Sequence, residues 1–168
     1  DTGAAVFLDL KFHDIPNTVA RAVAAAVRLD VQMLTLHTSG GREMMQAAEQ
    51  AAQQTAQTAG RTAPLVLGVT VLTSHDAGSL AETGCDPDVG RQVERLAQLA
   101  AKAGLRGLVC SPLELVALRR ILPAAKATRA ARSLIESPPN RSSRASASTR
   151  ATIASATTAA AGTAQTSL

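Results

Sequence analysis

Tryptophan and tyrosine are missing from the 168-residue chain, and Phe7 and Phe12 are its only Phe, Tyr or Trp residues. So few rings argue against the stacked aromatic surfaces that hold single-stranded nucleic acids. Cysteine is nearly as scarce. Cys85 and Cys110 lie too far apart for a CxxC metal or redox pair, and two thiols do not make a disulfide framework, so reduced thiols are expected. No apolar run reaches the roughly 18 residues of a membrane span, and no basic stretch followed by an apolar core opens the chain. These absences predict a cytoplasmic protein without membrane or nucleic-acid partners. Asp1 in place of a methionine reads as a start within a longer protein.

An excess of one charge is also missing from most of the chain. Residues 1–122 carry 11 Lys and Arg against 12 Asp and Glu, the interspersed pattern of an ordinary surface. The net positive charge belongs to residues 123–168, with 6 basic residues against 1 acidic. There 29 of 46 residues are Ala, Ser or Thr, and only four are Leu or Ile. Such a segment buries too little apolar surface to offset chain entropy, so a disordered low-complexity tail is predicted. The domain proper is expected to be 1–122.

What is present within that domain alternates. Val6 to Phe12 reads as a strand; Asn17 to Leu29 as an Ala-rich amphipathic helix with Val19, Val23 and Val27 on one face, capped by Asn17 or Thr18. Val31 to His37 is a second strand, and Ser39-Gly40-Gly41 turns the chain into a helix from about Arg42 to Gln57. Pro64 to Leu72 is a nearly continuous β-branched apolar run, the pattern of a central strand buried on both faces. Thr73 to Asp88 is a loop with a short helix, Val89 to Ala103 a helix stopped by Gly104, Gly107 to Cys110 a fourth strand, and Ser111-Pro112 the start of a last helix. Four strand-then-helix units without a hairpin predict an α/β fold with a parallel sheet, closed as a barrel or open and doubly wound. Either closure places chemistry at the C-terminal strand ends, where Lys11, Asp14, His37, Thr73, Ser74 and Ser111 fall.

The richest of these ends is Phe7 to Thr18, FLDLKFHDIPNT. Period-two alternation points Asp9 and Lys11 to one side, with Asp14 just beyond. A lysine set among carboxylates is a positioned ammonium able to act as a general acid, and clustered carboxylates can repel an anionic substrate group until it leaves. A structural ion pair with a solvated Asp14 explains the same residues. His37 and His13 read as packed or orienting side chains, His75 as a loop residue, Met44 and Met45 as core or interface filler, and Cys110 as a buried strand residue.

DLKFHDIPNT resembles the Asp-x-Lys-x-x-Asp signature of the orotidine 5'-phosphate decarboxylase family, and VQMLTLHTSGG, LGVTVLTS and GLVCSPLE follow in that family's order. The resemblance covers about Val6 to Leu122. It implies a TIM-type (β/α)8 barrel, present here as a partial barrel of about strands 3 to 6, and a carboxy-lyase that makes uridine 5'-phosphate for pyrimidine biosynthesis. It further implies catalytic Lys11, Asp9 and Asp14, substrate contacts from Thr18, Thr73 and Ser74, no metal and no cofactor. A homodimer with shared sites is implied as well, Asp14 and Thr18 reaching the neighbour's site.

A magnesium-dependent phosphosugar sibling of the same superfamily would need a carboxylate beside Asp9, where the chain has Leu8. The family's first two strands would precede Asp1. Its late phosphate-holding segments, Thr-Pro-Gly-Ile-Arg and Gly-Arg, do not occur after Leu122, where the tail reads like a GC-rich gene in a shifted frame. A third reading is a non-catalytic truncated fragment with unpaired sheet edges.

Overall fold

Strand and helix alternate from Phe7 to Ile121 in a computed structural model that describes residues 5–121 and 151–154. β1 (Phe7–Phe12), β2 (Met33–His37), β3 (Leu65–Val69) and β4 (Gly107–Cys110) run parallel in that order. α1 (Pro16–Arg28) joins β1 to β2, and α2 (Gly41–Thr58) joins β2 to β3. α3 (Ala77–Glu82) and α4 (Val89–Lys102) join β3 to β4, and α5 (Leu115–Ile121) follows β4. Because parallel neighbours cannot be joined by a hairpin, each crossover spends a helix, and each helix needs an apolar floor.

That floor is one face of the sheet. Leu34, Leu36, Val66, Leu108 and Cys110 meet Val23 and Val27 of α1, Met44 and Met45 of α2, Val93 and Ala97 of α4, and Leu118 of α5 in a single buried cluster. Met33, Leu65, Leu67, Val69 and Val109, the alternate strand positions, form a separate small cluster on the other face. A doubly wound sheet would carry helices there. Among the described residues every helix that contributes buried side chains to these two clusters packs on the first face, as the wall of a barrel requires.

β3 is central and fully buried, as its unbroken apolar run predicts. Burying each of its Leu and Val side chains contributes roughly 1.5–3 kcal/mol. Gly68 within it admits a close neighbour: a Cβ there would stand 2.6 Å from Thr38 Cγ2. Thr38, in the 3-10 turn Thr38–Gly40, donates its hydroxyl to the Val69 carbonyl at 2.9 Å, tying the end of β2 to β3.

Helix boundaries correct one expectation and bear out another. α1 begins at Pro16 with Ile15 at the cap position, so Asn17 and Thr18 lie inside the first turn and neither caps it. Proline's fixed φ suits the first helical position and moves the start forward. Past the end of α1, after Leu29 at the cap position, Asp30 is a non-glycine at φ 60 whose amide donates to the Val27 carbonyl. After α4 the expected Gly104 takes the same left-handed position at φ 84, with the Leu105 amide closing back onto Ala100.

β5 (Ala151–Ala154) differs from the sequence reading. Its four residues, expected to belong to an unstructured tail, pair antiparallel with β4, Ile153 opposite Leu108. An open edge offers unpaired backbone groups to any short extended segment. The remainder of the tail expectation lies outside the described residues.

Candidate active site

The chemistry-bearing residues converge where β1 meets β2. Lys11 Nζ lies 2.6 Å from Asp9 Oδ2, so the pair predicted from period-two alternation forms. The strand that carries it is not regular. Leu8 pairs with Leu34 and Phe12 with Leu36, so the register breaks between them, and Lys11 sits there at φ 52. A bulge of this kind re-aims side chains beside active sites.

Thr35 completes the cluster from β2. Its hydroxyl donates to Asp9 Oδ1 at 2.8 Å, and the same oxygen accepts the Lys11 amide at 2.9 Å. Both carboxylate oxygens of Asp9 are therefore engaged, one by each partner. Sequence reasoning passed over Thr35; the only signal was a polar residue alternating with leucines in MLTLH.

Magnitudes bear on why this arrangement exists. Asp9 is 41% and Lys11 23% exposed at the side chain, so the ion pair contributes at most about 1 kcal/mol after solvent screening. Holding a non-glycine residue in the left-handed region costs roughly 1–2 kcal/mol. The net is unfavourable or near zero. The ion pair alone therefore does not hold the conformation; the two Thr35 bonds add to it, and a backbone outlier held by its surroundings in this way makes Lys11 a candidate for function.

Asp14 and Thr18 are placed differently. Both are solvent-exposed, Asp14 in the loop after β1 and Thr18 in the first turn of α1, and Asp14 Oδ1 accepts the Ile15 amide at 2.6 Å. Thr73 and Ser74 form an exposed turn after β3, closed by the His75 amide on the Leu72 carbonyl at 2.9 Å. That turn is anchored by the cap of α3. Asp76 Oδ1 accepts the Ser79 amide at 2.9 Å while the Asp76 amide donates to the Ser79 hydroxyl at 2.8 Å. The Ser79 backbone bond, then its hydroxyl, holds the Asp76 carboxyl below its ordinary range.

Three histidines that read as separate, bland residues share one cavity of about 300 Å³, with Thr70, Cys85 and Gln92. The His13 and His37 rings stand 5.5 Å apart, and His75 Nδ1 is 3.2 Å from the Ser79 hydroxyl. Spacing along the chain could not show this, because the C-terminal ends of three different strands, with the segments that follow them, bring them together. At the end of β4, Ser111 and Glu114 form a reciprocal cap. Cys110 beside them is buried, as expected, and its thiol is pushed up to about 12 by burial first and by the Glu114 charge second. Among the described residues no group of three or more His, Cys, Asp or Glu is arranged to hold a metal ion. None of their helices is long and apolar enough to cross a membrane.

Comparison with known proteins gives this arrangement its context. Residues 1–162 match the family model described as orotidine 5'-phosphate decarboxylase / HUMPS family. The orotidine 5'-phosphate decarboxylase of Opitutus terrae is 59% identical over 125 residues, 73% of this chain and 51% of that protein. That of Pseudomonas putida is 52% identical over 123 residues, 73% of this chain and 51% of its own. Among solved structures, the orotidine 5'-phosphate decarboxylase of Lactobacillus acidophilus superposes with a TM-score of 0.67 at 39% identity, covering 70% of this chain and 53% of that one. The chain spans about half the length of the curated relatives it matches.

Proposed function

The chain belongs to the orotidine 5'-phosphate decarboxylase / HUMPS family and is a partial TIM-type barrel, and from that premise we propose that it carries the proton-donating half of an orotidine 5'-phosphate decarboxylase site. The carrying observation is the strained Lys11 fastened to Asp9. In the proposed step the bond from pyrimidine C6 to the carboxylate carbon breaks, carbon dioxide leaves, and the electron pair stays on C6. The Lys11 ammonium then gives C6 its proton and is recharged from water. Asp9, with both oxygens engaged, is a fixed negative charge that repels the substrate carboxylate and holds the ammonium on line. Asp14 is assigned the second negative charge, and Thr18, Thr73 and Ser74 the substrate contacts, with Asp14 and Thr18 serving a dimer partner's site in the cytoplasm.

A magnesium-dependent reaction on a phosphosugar suits the residues less well. It calls for a carboxylate next to Asp9, and Leu8 occupies that position with its side chain against the helix-side core. No cation ligand is available from it.

The test is ultraviolet absorbance of orotidine 5'-phosphate, with this chain and with a completed barrel in which residues 5–121 replace the matching stretch of the Opitutus terrae relative. Substrate loss in the completed barrel that vanishes in Lys11→Ala is the expected outcome. A completed barrel inert to this substrate but active on a sugar phosphate with magnesium would overturn the assignment. The half-length chain alone is expected to be weakly active or inactive, since binding energy from substrate groups remote from C6 is needed to drive the step.

A further inference from the structure

We propose that Thr35 is the positioning residue of this site, one hydroxyl fixing both the Asp9 carboxylate and the backbone of Lys11. What the pair does rests on the decarboxylase reading above; what holds it rests on geometry alone. Thr35 occupies the face of the sheet otherwise built from Met33, Leu65, Leu67, Val69 and Val109, and it is 0% exposed. A buried hydroxyl is unfavourable unless bonded, and valine would fill the same space without that demand. Here the hydroxyl meets it twice, donating to Asp9 Oδ1 and accepting from the Lys11 amide.

The second bond matters most. The Lys11 amide lies inside the register break, where the regular ladder with β2 is interrupted, and the Thr35 oxygen is its partner. Without that oxygen the amide loses its partner, and the screened ion pair alone is left to offset the left-handed φ of 52. The bulge would relax toward ordinary extended backbone and carry Nζ away from Asp9. Thr35 touches no reacting atom in this scheme. It acts through Lys11 and Asp9, setting where the proton is held.

Thr35→Val and Thr35→Ser separate this role from simple packing. In the chain itself, amide hydrogen exchange at Lys11 should rise about tenfold or more in Thr35→Val, the loss of one hydrogen bond, and stay near wild type in Thr35→Ser. In the completed barrel, Thr35→Val should lower kcat by roughly 10–100-fold with KM within about threefold, the signature of a misplaced reacting group. Thr35→Ser should restore kcat. Unchanged Lys11 exchange in Thr35→Val overturns the proposal, as does an unchanged kcat or a Thr35→Ser variant as damaged as the valine. A wild-type completed barrel that does not decarboxylate the substrate would end the functional reading, and the exchange measurement would then judge the positioning claim alone.

Discussion

β3 keeps all five of its residues out of solvent and holds an unbroken parallel register with β2, Leu65 to Val69 opposite Met33 to His37. β1, two places away in the same sheet, breaks register, leaves Phe7 and Leu10 exposed, and sets Lys11 in a left-handed conformation. The same backbone geometry thus serves two ends. In β3 local preference, apolar pattern and burial agree; in β1 they conflict, and the conflict falls on the two residues with chemistry to offer. A sheet can tolerate a strained margin when its centre is this regular.

The strongest way to break that contrast is at Lys11. Lys11→Ala and Lys11→Gly should each reduce decarboxylation in the completed barrel by roughly 10²–10⁴-fold, the range for losing a positioned general acid. Their stabilities should part. Glycine adopts a φ of 52 freely, so Lys11→Gly should be more stable than Lys11→Ala by about 1 kcal/mol in urea denaturation. Equal stabilities would mean that the register break carries no strain, and the contrast with β3 would lose its energetic content.

Next in size is the same truncation made in both strands. Leu67→Ala on β3 removes a side chain with 0% exposure and should cost roughly 2–5 kcal/mol. Leu10→Ala on β1 removes one that is 58% exposed and should change stability by no more than about 0.5 kcal/mol. Comparable losses at the two sites would show that Leu10, like Leu8, shares the core.

This division also explains what the sequence reveals. β3, α4 and β4 were legible because apolar run, helical period and Gly104 each point one way. The Asp9–Lys11 pair was legible because two residues apart on a strand share a face, and the charged atoms still meet across the register break. The positive φ of Lys11 was not: no local residue demands it, and the bond that accompanies it is to Thr35, 24 positions away. The convergence of His13, His37 and His75 depends likewise on the ends of three strands meeting. Ile15 at the α1 cap was hidden because Asn17 and Thr18 are the better capping residues, and Pro16 overrides them. The tail composition spoke of chain entropy and gave no sign that Ala151–Ala154 would find the open edge of β4.

Gly68 sharpens the comparison at the centre of the sheet. Gly68→Ala would bring a methyl group to 2.6 Å from Thr38 Cγ2 and 3.1 Å from Leu105 Cδ1. Overpacking of this kind should cost roughly 1–3 kcal/mol. Thr38→Ser keeps the hydroxyl that bonds the Val69 carbonyl but deletes Cγ2, so the Gly68→Ala/Thr38→Ser double variant should recover part of the loss. Additive costs in a double-mutant cycle would place the clash elsewhere.

The smallest effect concerns pH and the neighbour of β3. Cys110 on β4 has its thiol raised from 9.0 to about 12, chiefly by burial and then by Glu114. The unfolded chain therefore releases this proton near pH 9 while the folded chain retains it. Between those values the unfolded state binds fewer protons, so stability falls as pH rises, by about 1 kcal/mol by pH 10. Below pH 9 both states hold the proton and the contribution is flat. Urea denaturation at pH 8 and pH 10 should show this decline in wild type and a shallower one in Cys110→Ala, which keeps the strand but has nothing to ionise. Parallel declines in the two proteins would mean that the thiol reaches water without unfolding. β4 would then open to solvent as β1 does, and the regular centre of the sheet would narrow to β2 and β3.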